Sequence, residues 1–259
     1  MTASAKTDDA RATSGAPLRR PPTDLLRGAA LFLDFDGTLV DIQPSPDAVG
    51  VNTRLHALIA TLADRLDGRV AIVSGRSIAQ LDALFGGLTL ATSGSHGAEL
   101  RAAGMAGDTP ERPREFDPVI VAMQAFADAN PGVVVEVKSF GVGLHYRGAP
   151  GAEQAAQALA TRLAADTDLS LQHGKMVFEV RVPGDKGQAI AQFLTEAPFA
   201  GARPVFLGDD LTDEPGFVAV ARAGGAGILV GPPRDTAATY RLNDVDAVLD
   251  WLDAAGAAA

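Results

Sequence analysis

The stretch "LFLDFDGTLV", residues 31–40, ends an apolar run on two carboxylates, Asp34 and Asp36. Charge placed there is unfavourable unless a turn solvates it or a cation neutralises it. Two readings stand at this point: an Asx-type turn after a strand, or half of a metal site. Ser74 follows "RVAIV", and read alone, before Gly75, it is a turn residue. Asp209 and Asp210 follow "PVFLG", with Asp213 and Glu214 close behind. Read alone they suit the N-terminus of a helix, where negative charge is favoured. Lys186 follows "PGD" at the start of a helical stretch, where the helix dipole disfavours a cation. It is either a solvated lysine or the partner of nearby acids.

Taken together these groups form a coherent constellation. Three or more carboxylates are hard oxygen donors of the kind that suits Mg²⁺. A carboxylate can also attack phosphorus to give an aspartyl-phosphate. Ser74 and Lys186 could hold phosphoryl oxygens, the lysine as a point charge, with a metal opposite it. No "GxxxxGK[ST]" loop is present, which argues against a nucleotide-driven kinase or ATPase.

Positioning such groups requires a scaffold that brings distant segments to one edge. From Ala29 onward, buried-strand and helix patterns alternate: strands at 29–34, 69–74 and 88–94, helices at 53–66 and 77–86. In the helix at 53–66, Leu55, Leu58, Ile59, Leu62 and Leu66 share one face. The rhythm returns late, with helices at 186–197, 213–224 and 244–255 and strands at 203–209 and 225–231. Alternation of this kind predicts an α/β fold with a parallel sheet covered on both faces. In such sheets ligands bind outside the carboxyl ends of the strands, where Asp34, Asp36, Ser74 and Asp209 fall. Between the halves the pattern changes to helix, two strands, helix, two strands. The expected organisation is a tail over 1–27, a doubly wound parallel-sheet (Rossmann-like) core over 28–109 and 184–259, and a smaller inserted α+β module over 110–183. Its hinges would be "GMAGDTPERPRE" and "VPGDKG".

Composition bounds the function. The chain has 259 residues, 47% hydrophobic and 21% charged, as a globular protein has. A net charge of −10 argues against a nucleic-acid binder, which needs a basic face, while an anionic small substrate stays open. Cys is absent, which excludes disulfides and thiolate metal sites and fits a reducing compartment. No apolar run is long enough for a membrane span, and the first 27 residues lack a signal-peptide core. A cytoplasmic protein without membrane or nucleic-acid partners is expected, monomeric or a small homo-oligomer.

In series, "DFDGT", "VSGR", the "DKG" lysine and "GDDLTDE" resemble the four motifs of the haloacid dehalogenase superfamily of phosphatases. The resemblance covers nearly everything after residue 28. It implies a HAD-like core with an α/β cap inserted between Ser74 and Lys186, shutting out water and supplying specificity. It implies Asp34 as nucleophile and Asp36 as general acid and then base. It further implies Ser74 and Lys186 as phosphate ligands, and Mg²⁺ on Asp34, the Asp36 carbonyl and Asp209. Asp210 and Asp213 would support that shell, and Gly75 and Arg76 of the second motif would join the substrate contacts.

Within the superfamily, "SGSHGAELR", "KSFGVGLHYR" and "HGKMVFEVR" resemble the trehalose-6-phosphate phosphatases. That likeness implies Mg²⁺-dependent hydrolysis of trehalose 6-phosphate. The same chemistry on sucrose 6-phosphate or a phosphorylated glyceryl glycoside is the alternative. A phosphoryl-accepting receiver domain is another, and a non-catalytic sugar binder a third. Strand alternation in the insert puts Met176, Phe178, Val180 and Val182 on one face and Lys175, Val177, Glu179 and Arg181 on the other. Val142, Leu144 and Tyr146 likewise oppose His145 and Arg147. The polar face is either solvated or turned to the cleft. Lys175 and Glu179 are the expected sugar contacts by the resemblance; His145, Arg147, Lys138 and Arg181 are further candidates. His96 and Glu99 follow a core strand and could reach the cleft from below, although His96 also reads as a turn residue.

Overall fold

A computed structural model of the chain describes residues 18–43, 49–104 and 112–259. The first half of the large sheet comprises β1 (Ala29–Leu33), β2 (Val70–Val73), β3 (Ala91–Gly94) and β4 (Glu99–Arg101). The second half comprises β9 (Arg203–Gly208), β10 (Ala226–Val230) and β11 (Tyr240–Leu242). The order is β11-β10-β9-β1-β2-β3-β4, with every pair parallel except β3 and β4. Every residue of β1 is buried, as expected for a central strand covered on both faces. Leu31 and Leu33 pack on one side with helices α1 (Thr53–Arg65), α2 (Ile78–Phe85) and α7 (Val245–Ala257). Ala30 and Phe32 pack on the other with α5 (Lys186–Phe193) and α6 (Glu214–Arg222). The period of two along β1 thus builds two cores from one strand.

Local sequence sets the helix ends. Ser77 accepts from the Gln80 amide and Gln80 returns a bond to the Ser77 amide, while Gly86 closes α2 in the left-handed conformation at φ 55°. Asp185 caps α5 through the Gln188 amide and Asp244 caps α7 through the Ala247 amide.

The intervening segment forms a second sheet of four antiparallel strands in the order β5-β6-β8-β7. These are β5 (Val134–Val137), β6 (Gly141–His145), β7 (Ser170–Gly174) and β8 (Val177–Arg181). One face packs against α3 (Phe116–Ala129) and α4 (Glu153–Ala165) through Met123, Val142, Leu144, Phe178 and Val180, a core of its own. This sheet is called the cap below.

Three expectations change. Residues 18–27 are packed against the core: Leu25 and Leu26 are buried, Arg19 bridges to Tyr240, and the Trp251 indole donates to the Pro22 carbonyl at 3.3 Å. Residues 1–17, and most of the "GMAGDTPERPRE" hinge, lie outside the described residues. The strands β4 and β11, three residues each, were not expected. The second hairpin of the insert, which "LSLQH" and "KMVFEVRV" would place with its turn at Gly174, turns instead at Lys175 and Met176, the latter at φ 62°, because β7 runs through Gly174.

Candidate active site

β1 lies between β2 and β9, with Leu33 paired to Ile72 on one side and Leu207 on the other. That register delivers Asp34, Ser74 and Asp209 to one end of the sheet, where the strand order reverses around β1. The Lys186 ammonium, at the first turn of α5, donates to Asp34 Oδ1 at 2.7 Å and to Asp213 Oδ1 at 2.5 Å. Asp34, Lys186 and Asp213 are all buried. Asp213 Oδ2 accepts from the backbone amides of Asp209 (2.8 Å) and Asp210 (3.0 Å), which fixes the turn after β9. Gly37, at φ 83°, leaves room for the Asp209 carboxylate, which a Cβ at that position would strike.

The electrostatics are short of positive charge. Burial, opposed by Lys186 and reinforced by Asp213, holds the Asp34 carboxyl well above the usual carboxylate range. Burial and the neighbouring Asp213 and Asp210 push Asp209 up to about 6. Burial would lower the Lys186 ammonium, but Asp34 and Asp213 more than offset it and the net shift is upward. One oxygen each of Asp34, Asp209 and Asp213 lies within 4.8 Å of the others. An all-oxygen donor set with one ammonium against three carboxylates fits a hard divalent cation.

Asp36 is held differently. Arg76 Nε donates to its Oδ2 and Nη2 to its Oδ1, both at 2.7 Å, and the guanidinium lies 5.5 Å from the Phe35 ring centre. The pair is a bidentate fork. The Arg76 amide in turn donates to Ser74 Oγ at 3.1 Å. The His96 ring covers Gly75, so a side chain at that position would collide with it. Burial, with Arg181 and Lys186 nearby, lowers the His96 imidazole to about 3 and keeps it neutral.

These groups line a cleft of about 720 Å³ between the sheet end and the cap. Asp34, Asp36, Ser74, Gly75, Arg76, His96, Lys186, Asp209 and Asp210 all reach it. Asp210 is exposed and spends its Oδ1 on the Thr212 amide and hydroxyl. Glu179 lines a small adjoining recess with Arg181, Lys138 and His96, and its carboxylate pairs with Lys138 at 3.0 Å.

Other expected residues are placed elsewhere. Glu99 is buried beneath the site, accepting from Ser95 Oγ (2.5 Å) and the Ile78 amide (3.3 Å). His145 pairs with Glu136 at 2.8 Å and does not line the cleft. Arg147 is exposed beyond β6, and Lys175 is exposed in the β7–β8 turn; neither lines the cleft. Glu136, Ser139, Gln80 and Thr212 do line it and were missed. For Glu136 a signal existed: it alternates with Val135 and Val137 and shares its face with Lys138.

The arrangement resembles known proteins along most of its length. The family model Trehalose-phosphatase matches residues 32–246. A trehalose-6-phosphate phosphatase of Escherichia coli is 40% identical over 240 residues, covering 92% of this chain and 90% of that one. A probable trehalose-phosphate phosphatase of Sinorhizobium fredii is 40% identical over 207 residues, 79% of this chain and 78% of the other. The C-terminal domain of Candida albicans trehalose-6-phosphate phosphatase superposes with a TM-score of 0.74 at 24% identity, over 95% of this chain and all of that one, and so shares the fold. A trehalose-6-phosphate phosphatase related protein gives a TM-score of 0.68 at 28% identity, over 86% and 94%.

Proposed function

The chain belongs to the trehalose-phosphatase family and is a phosphoric monoester hydrolase of trehalose 6-phosphate; we propose that it works through an aspartyl-phosphate formed on Asp34. The observation that carries this chemistry is the buried Lys186 bridging Asp34 and Asp213 at the floor of the cleft. A carboxylate held by an ammonium, next to a second acid on the same loop, is arranged for attack on phosphorus followed by proton transfer.

The following roles belong to this proposal. Asp34 attacks the phosphoryl phosphorus, and the bond from phosphorus to the sugar O6 breaks. Asp36 gives its proton to the departing oxygen. It then takes a proton from the water that hydrolyses the aspartyl-phosphate, releasing inorganic phosphate and freeing Asp34. Because both Asp36 oxygens accept from Arg76, that fork opens as Asp36 turns to the leaving group. Lys186 neutralises Asp34 and the incoming oxygens, and the Ser74 hydroxyl with the Gly75 turn receives the remaining phosphoryl oxygens. Asp34 and Asp209 would hold Mg²⁺, supported by Asp213. Bound there, the ion would supply neutralisation of the charge on the phosphoryl group.

The cap side of the cleft presents Glu136, Lys138 and Ser139, with Glu179 in the recess behind. These are the groups proposed to receive the sugar hydroxyls, since convergent polar side chains opposite the reacting centre set orientation.

A panel of sugar phosphates assayed by malachite-green detection of phosphate tests the reading. Trehalose 6-phosphate should be turned over with the highest kcat/KM and repeatedly per enzyme. Preference for sucrose 6-phosphate, or a single phosphorylation without turnover, overturns it.

A further inference from the structure

Arg181 ends β8 with its side chain turned away from solvent, 7% exposed. No carboxylate lies within ion-pair distance of it among the described residues. Nη1 donates to Gln172 Oε1 at 2.6 Å, and Nη2 donates to two backbone carbonyls of the core, Ser95 at 3.0 Å and His96 at 3.4 Å. A guanidinium drawn into the interior onto carbonyls, with the Glu179 and Asp185 carboxylates acting on it only from a distance, gives up hydration that a direct ion pair would restore, so its targets matter.

Those targets are strained. Ser95 and His96 stand consecutively in the left-handed region, at φ 49° and 55°. Non-glycine residues occupy it only when their surroundings impose it. The same two residues hold the phosphate-side turn, because the Ser95 amide donates to the Arg76 carbonyl (2.8 Å) and the His96 amide to the Ser74 carbonyl (2.9 Å). Gly97, next in line, is pressed so closely on the Asp185 carbonyl, just before Lys186, that a Cβ would lie 2.7 Å from it. One short loop therefore touches both segments that would face the phosphoryl group, and the cap hydrogen-bonds to its carbonyls through the Arg181 side chain.

We propose that Arg181 is a positioning residue: by holding the Ser95 and His96 carbonyls it keeps the left-handed loop, and through it the Ser74–Arg76 turn, in the arrangement that receives a phosphoryl group. Seating of the cap and phosphate binding are thereby coupled. The inference rests on the phosphatase reading above and differs from the expectation that Arg181 contacts sugar. A sugar contact would matter only for substrates that carry the sugar.

The test compares trehalose 6-phosphate with p-nitrophenyl phosphate, which has no sugar to engage the cap. Arg181→Met, which keeps the length and removes the donors, should lower kcat/KM about tenfold on both substrates and raise the inhibition constant of orthophosphate by a similar factor. Adding Ser95→Gly, since glycine takes the left-handed conformation without strain, should recover most of the p-nitrophenyl phosphate rate. If Arg181→Met does not fold, Arg181→Lys, which retains the charge but not the fork, takes its place in the same comparisons. A loss confined to trehalose 6-phosphate overturns the proposal in favour of a sugar contact, and an equal loss that Ser95→Gly leaves unrescued overturns it as well. A parent enzyme inactive on both phosphates would instead refute the phosphatase reading itself.

Discussion

Replacing Lys186 by methionine keeps the bulk of the side chain and removes the ammonium that Asp34 and Asp213 share at 2.7 and 2.5 Å. Both carboxylates are buried, Asp34 at 4% and Asp213 at 0% exposure, so neither recovers hydration. Breaking a buried pair by deleting one partner costs about 3–5 kcal/mol. For a chain of this length that is a fall in Tm of about 6–20 °C. A divalent cation offers the stranded carboxylates another counter-charge. The variant should therefore gain more from Mg²⁺ than the parent does, because one positive charge no longer opposes the ion at the site. Catalysis should fall by about 10²–10³-fold in kcat, the loss typical of removing one preorganised group that stabilises transition-state charge. Differential scanning calorimetry with and without Mg²⁺, followed by kcat under saturating Mg²⁺, reads all three effects. A variant within about 2 °C of the parent, equivalent to about 0.5–1 kcal/mol, would refute the reasoning, as would a kcat left essentially unchanged.

Gly37→Ala places a methyl against the Asp209 carboxylate and forces φ 83° on a residue with a Cβ. Mg²⁺ affinity by calorimetry should weaken at least about tenfold, with a stability loss of about 1–2 kcal/mol; unchanged affinity would mean that Asp209 does not hold the ion. His96 is lowered to about 3 by burial and by Arg181 and Lys186, so the stability it contributes is present above about 6.5 and is lost as pH falls toward 3. Between pH 7 and 5 the parent should lose about 1–2 kcal/mol more than His96→Gln in urea unfolding, and equal losses would remove the imidazole from that role. Glu179→Ala removes the shorter of the two ion pairs of Lys138, leaving the one to Glu136, and should lower kcat/KM on trehalose 6-phosphate about tenfold while leaving p-nitrophenyl phosphate within about twofold, a split expected of a polar group that contacts only the sugar.

Strand ends were the legible part of this chain. Asp34, Ser74 and Asp209 each follow an uninterrupted apolar run, and a parallel sheet turns three such ends into one edge, so local pattern alone carried them to the same place. The packing of β1 on two sides was legible for the same reason, from the alternation of Leu31 and Leu33 with Ala30 and Phe32. Long side chains were not. Arg181 sits on the polar face that alternation assigned, yet its guanidinium reaches back to carbonyls in another part of the chain. Arg76 forks onto Asp36 across forty residues of sequence. Where such groups end is decided by tertiary packing and leaves no periodic trace. The strand face that alternation gives Lys175 was not legible either, because the alternation runs through a turn: with Met176 at φ 62° the strand begins only at Val177, and the face of the preceding residues is not defined. The edge strands β4 and β11 are three residues long, too short for a period to register. Leu25 and Leu26 lie in a polar, Pro-rich stretch whose composition reads as a tail, although the two leucines suffice to anchor it.

The central claim is that phosphorus passes through Asp34. Asp36→Asn removes the acid for the leaving oxygen and the base that activates water while leaving the nucleophile, so label should load slowly but stay on the protein when trehalose 6-phosphate radiolabelled at phosphorus is quenched over a long time course. Peptide mapping should place that label on the fragment containing Asp34, and Asp34→Asn should abolish it. Label on a different residue, or phosphate released in a single turnover by the Asp34→Asn variant, would contradict the account.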